Sequence, residues 1–177
     1  MAAKMNSRLT FRTKIPYSPY SMDSADTQQL EWVKATNNGI PPHGIAQGVE
    51  KNGHSLYIAR AFFQEGLHPG KAAPHLANGG FALGWGGKSY GLSEYYVLCG
   101  NVNRTRWVSV EGAVPHDNLK YVVAGHEKGG EPLYVAKGVY QDTVQLGKAG
   151  HHLPGGMSFA FGDREVGLRS YMVLVHV

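Results

Sequence analysis

A stretch of this chain occurs twice. Residues 50–76 read EKNGHSLYIARAFFQEGLHPGKAAPHL, and residues 127–153 read EKGGEPLYVAKGVYQDTVQLGKAGHHL. The offset is 77 throughout, without a gap, and 12 of the 27 positions are identical. The match extends outward. Trp32-Val33 corresponds to Trp107-Val108, Pro42-His43 to Pro115-His116, and GLSEYYVLC (91–99) to GLRSYMVLV (167–175). A fold for this chain must therefore be one unit built twice, and each copy is too small for a thick core of its own. The expected organisation is an N-terminal extension over residues 1–28, a first repeat over 29–100 and a second over 101–177.

Each copy reads as all-β. LYIARAFF and LYVAKGVY are short, rich in β-branched and aromatic residues, and bounded by glycine turns. The 24 glycines and 10 tyrosines of the 177 residues favour strands and tight turns over long helices. Side-chain alternation puts Leu56, Ile58 and Arg60 on one face, with Tyr57 and Ala59 on the other. Strands are expected near 31–34, 55–63, 80–86 and 94–99, and again near 106–110, 132–140, 157–162 and 170–176. Two such thin units are expected to share one core as a pseudo-twofold, β-sandwich-like pair, with exchanged strands.

Charge and cysteine content narrow the function. The formal net charge is +4, but residues 1–22 hold Lys4, Arg8, Arg12 and Lys14 and no acid, leaving thirteen bases and thirteen acids elsewhere. A neutral body has no general attraction for a phosphate backbone, so no nucleic-acid partner is expected. Any membrane contact would run through the basic extension. That extension lacks the apolar run of a secretory signal, so a cytoplasmic location is expected. Cys99 is the one cysteine, which excludes an intramolecular disulfide. Its aligned partner is Val175, so it reads as a packing residue rather than a nucleophile. The nine histidines are scattered, and no metal or other cofactor is expected.

Residues identical in both copies point to what both copies need. Gly53/Gly130 and Gly70/Gly147 suit turns, and Leu56/Leu133 and Tyr57/Tyr134 suit packing. Glu50/Glu127 and Lys71/Lys148 fit neither explanation. Each acid stands before the LY strand, and each lysine stands 21 residues later, just past the turn expected to close it. Opposite charges meeting at one edge would form a small polar cleft, or else an ordinary surface salt bridge. His75 and His152, four residues beyond the lysines, and Trp85, aligned with Phe161, are secondary contact candidates.

The pattern W-V…G…P…(D/E)-x-x-G-x-x-L-Y-V-A-R…P-G-K, closed by a Y-x-V-L strand, resembles the DM-nine (DM9) repeat, and both copies match it. LYIAR and HPGK in the first copy, and LYVAK and LGK in the second, carry the resemblance. It implies two interlocked β-rich repeats and a mannose-binding lectin of the kind that serves in agglutination or innate immune pattern recognition. The family's sugar site uses an acid before the LYV strand and the lysine of PGK, which fall on Glu50 and Lys71, and on Glu127 and Lys148. Two departures stand out: both acids are glutamate where the family commonly has aspartate, and Leu146 replaces the proline of the second motif. A vicinal diol suits a carboxylate–ammonium pair, which accepts from and donates to adjacent hydroxyls. One acid per site argues against a calcium cage. The chain is therefore expected to be a metal-independent, bivalent mannose binder, possible as a homodimer, and not an enzyme. A glycosidase would need paired carboxylates. The alternative is an intracellular membrane- or protein-interaction module without catalysis.

Overall fold

A computed structural model describes residues 29–177. The expectations for the N-terminal extension, residues 1–28, fall outside the described residues. The described chain has fourteen strands, one 3₁₀ turn at Val102–Arg104 and no α-helix. The first repeat supplies β1 (Glu31–Thr36), β2 (Ala46–Val49), β3 (Ser55–Phe63), β4 (Gly66–Ala72), β5 (Phe81–Trp85), β6 (Lys88–Leu92) and β7 (Glu94–Cys99). The second supplies β8 (Thr105–Glu111), β9 (Val123–His126), β10 (Pro132–Tyr140), β11 (Thr143–Ala149), β12 (Met157–Phe161), β13 (Arg164–Leu168) and β14 (Ser170–His176), in the same order. Among the described residues no helix is long and apolar enough to cross a membrane.

The LY hairpin is the centre of each repeat. β3 and β4 pair in register from Tyr57↔Ala72 to Phe63↔Gly66, leaving a two-residue loop. Gln64 and Glu65 both have positive φ, 48° and 62°, and Gln141 and Asp142 repeat this at 46° and 61°. Two consecutive positive φ values make the turn whose twist matches the strands it joins.

The PGK segment is strand where a turn was expected. Gly70 and Gly147 do not have positive φ; they sit inside β4 and β11. A Cβ on Gly70 would collide with the Ala82 carbonyl oxygen, and one on Gly147 with that of Ser158. Glycine serves here for close approach of the next strand, not for a left-handed backbone.

Strand exchange joins the repeats. β2 lies between its own β3 and β11 of the second repeat, and β9 lies between its own β10 and β4 of the first. The hairpins β5–β6 and β12–β13 meet through β6 and β13. The pairing β3-β2-β11-β12-β13-β6-β5-β4, with β4 returning to β3, closes an eight-strand ring, and the remaining strands extend the sheet. Closure leaves those strands without free edges.

The core divides accordingly. Leu56, Ile58 and Leu98 of the first repeat pack with Val122, Val135, Leu146 and Leu174 of the second, and the alternate face of β3 packs within its own repeat through Ala59, Ala61, Phe81 and Tyr95. Phe159, Tyr171 and Val173 form the corresponding cluster of the second repeat. The Trp-Val match also acquires a reason. The Arg60 guanidinium lies 4.3 Å from the Trp32 ring and donates to the Ala124 carbonyl, while Lys137 lies 4.2 Å from the Trp107 ring and donates to Gln47. Each cation crosses to the other repeat.

Candidate functional site

Each acid is set by a tight turn. Glu50 follows β2; its N–H donates to the His54 carbonyl, and its carbonyl accepts from Gly53 N–H, both at 2.9 Å. Glu127 follows β9 and makes the same pair with Glu131 and Gly130 at the same distances. Gly53 and Gly130 take φ values of 86° and 95°, which suit glycine and explain their presence in both copies. Each lysine is the penultimate residue of a largely buried strand, β4 or β11. Lys71 pairs across to Ile58 and Ala82, and Lys148 to Val135 and Ser158. They are only 5% and 6% exposed.

In the first repeat the acid and the base meet. Lys71 Nζ lies 4.0 Å from Glu50 Oε1. The Lys71 ammonium donates to Gln145 Oε1 at 2.6 Å, and Gln145 Nε2 donates to Glu50 Oε2 at 3.4 Å and to Thr143 Oγ1 at 3.0 Å. Gln145 is fully buried and comes from the second repeat. His75 Nε2 is 3.9 Å from Glu50 Oε1. Around this pair opens a cleft of about 510 Å³. Its walls include Ser89 and Gly91 of β6 and, across the seam, Ala160, Phe161, Gly162 and Asp163 of the β12–β13 hairpin. The Phe161 ring centre is 5.9 Å from Lys71 Nζ.

The second repeat keeps the plan with different partners. Lys148 Nζ lies 3.7 Å from Glu165 Oε2, and 3.5 Å from Nδ1 of His68, which occupies in the first repeat the position of Gln145 in the second. Glu127 is not within 4.0 Å of Lys148 but acts on it through space, and its Oε1 is 3.3 Å from His152 Nε2. Both histidines singled out in the sequence therefore adjoin their acids. Trp85 packs edge-on against Phe63 and Tyr90 and is not among the residues lining the first cleft; its aligned partner Phe161 is.

Burial governs the electrostatics. Desolvation lowers the pKa of Lys71, and Glu50 partly restores it. Desolvation likewise lowers that of Lys148, against the pull of Glu165 and then Glu127. His68 is lowered to about 4, first by burial and then by Lys148. It is therefore neutral near pH 7, and its Nδ1 can accept from the Lys148 ammonium. The Cys99 thiol is buried and pushed up to about 11, by desolvation and then by Glu31, which suits packing rather than nucleophilic attack.

Gln145, His68, Glu165 and Ser158 were not legible as site residues. Gln145 and His68 stand at the same 77-residue offset, but they differ chemically, so a search for identical pairs passes over them. The signal that could have found them is position: each lies three residues before a lysine.

No curated protein sequence matches the chain. The crystal structure of the nematode sperm cell motility protein MFP2B is similar over 99% of this chain at 15% identity, with a TM-score of 0.57. The chain spans about half the length of that protein, 49% of it, and the likeness is one of fold. The sequence profile of the DM9 repeat matches residues 13–79 and 56–168. With the profile spanning most of its length and the repeat built twice into one interlocked β-fold, the chain belongs to the DM9 repeat family.

Proposed function

We propose that this protein is a metal-independent, mannose-type carbohydrate-binding protein that grips adjacent hydroxyls with a carboxylate–ammonium pair. The observation that carries the reading is the 4.0 Å separation of Lys71 Nζ and Glu50 Oε1 at the floor of an open cleft. A hydroxyl oxygen can stand within hydrogen-bond distance of both atoms at once, donating to the carboxylate and accepting from the ammonium. Gln145 holds both charged groups in place before the ligand arrives, so little ordering entropy remains to be lost. Each charge-assisted bond contributes about 1.5–3 kcal/mol. Phe161 offers an apolar wall to the C–H face of a pyranose, and His75 offers a further polar edge. Glu50 is paired with an ammonium rather than with a second carboxylate, although Asp163 lines the same cleft, and that pairing favours binding over glycoside hydrolysis.

Retention on mannan resin tests this reading. The wild-type protein is expected to be retained and eluted by free mannose, and the Glu50→Ala/Glu127→Ala double variant to flow through. Equal retention of the folded double variant would remove these acids from the site.

A further inference from the structure

The two lysine sites share a plan and differ in what faces the ammonium. In the first, the second residue of β6 is Ser89, and the residue paired with Lys71 is Ala82. In the second, the second residue of β13 is Glu165, and the residue paired with Lys148 is Ser158. The Glu165 carboxylate lies 3.7 Å from the Lys148 ammonium, accepts from Ser158 Oγ at 3.2 Å and from Gly87 N–H at 3.4 Å, and its side chain is only 20% exposed. The opposing hairpin is adapted to it. A Cβ on Gly84 would come 2.7 Å from Glu165 Cγ, so the glycine makes room for that side chain. The aligned residue in the other hairpin is Ala160, which lines the first cleft together with Ser89. Three exchanges, Ser89 to Glu165, Ala82 to Ser158 and Ala160 to Gly84, together turn an open cleft into a carboxylate pocket filled by the chain itself.

We infer that Glu165 is a built-in occupant of the second cleft, so the protein presents one open carbohydrate site per chain rather than two. Glu165 supplies to Lys148 the oxygen that a sugar hydroxyl supplies to Lys71. A neutral sugar enters the second cleft only by displacing a charged, hydrogen-bonded carboxylate, and the ammonium it would then meet has lost its nearest counter-charge. The ligand assignment rests on the function proposed above; the occupancy by Glu165 does not.

Two measurements separate the two claims. Acetic anhydride footprinting with mass spectrometry needs no sugar: Lys71 and Lys148 are equally buried, but the Glu165 carboxylate holds the Lys148 ammonium at 3.7 Å, so in the wild type Lys71 is expected to acetylate several-fold faster than Lys148. Glu165→Ser should bring Lys148 up to the rate of Lys71. Gly84→Ala, which keeps the charge but crowds the side chain out, should raise Lys148 labelling too if Glu165→Ser does not fold. Wild-type Lys148 labelling as fast as Lys71 overturns the inference. Titration calorimetry with mannose should then give one equivalent for the wild type, two for Glu165→Ser and one for Glu50→Ala/Glu165→Ser. Two equivalents for the wild type overturn the inference while leaving the sugar reading standing. No binding by any form, with the labelling asymmetry intact, overturns the sugar reading and leaves Glu165 in place.

Discussion

At the scale of single residues, the site depends on two lysines buried at a cost in solvation. Each ammonium is paired with a carboxylate of its own repeat, Glu50 or Glu165, and touches a neutral partner of the other, Gln145 or His68. Removing one member of such a buried pair leaves the rest uncompensated. Lys71→Met leaves the buried Gln145 oxygen without its donor and the Glu50 carboxylate without its counter-charge, so it is expected to lower the melting temperature, while mannose affinity falls at least about tenfold, the equivalent of ~1.5 kcal/mol. Parallel thermal melts and mannan retention check this. His68 makes the fold acid-sensitive. Its pKa is about 4 in the folded protein against an ordinary 6.5, so the unfolded chain binds the extra proton between these values. Stability is then full above pH 6.5 and lost as pH falls toward 4, by about 3 kcal/mol in all. His68→Gln installs the amide that already serves Lys71. It should flatten the difference between melts at pH 7 and pH 4.5 relative to wild type, and an unchanged difference would rule out His68 as its source.

At the scale of elements, the lysines owe their position to strands that pass unusually close to their neighbours. Glycine at 70 and 147 lets β4 and β11 approach β5 and β12, and the next residue in each strand is the buried lysine. Gly70→Ala is expected to cost more than 2 kcal/mol, because the added methyl meets a backbone carbonyl that cannot swing aside. Gly53→Ala has open space around it and pays only for its positive φ, about 1 kcal/mol. Urea titrations of the two variants should rank them in that order. The strands that could be read from the sequence, β1, β3, β5 and β7 and their counterparts, are those with β-branched and aromatic runs. β4 (GLHPGKA) and β6 (KSYGL) were missed, since glycine and proline there read as turn punctuation. Pro69 lies opposite Arg60 of β3, at a position of β4 with no strand partner on its other side among the described residues. β2 (AQGV) is too short for a period to show.

At the scale of the whole molecule, neither repeat is complete. β2 and β9 each complete the other repeat's sheet, the largest shared cluster draws on both halves, and Lys71 finds its hydrogen-bond partner 74 residues away. Residues 29–100 expressed alone should therefore be unfolded, and mixing them with residues 101–177 should restore a dispersed amide spectrum. A folded, isolated first half would contradict the interlock. The intact chain should melt in one transition, since no part of the ring closes without the rest.

The sequence alone determined that one β-rich unit is built twice, which residues the two copies hold in common, and hence the Glu–Lys pairs. Duplication records those facts position by position, and alternation with period two reveals which residues face inward. Only the tertiary structure decided that Glu50 and Lys71 stand 4.0 Å apart, that the other repeat supplies their support and their aromatic wall, and that Lys148 faces Glu165 instead of an open cleft. Those relations join side chains far apart along the chain, and they arise from strand exchange and ring closure, which no local pattern encodes.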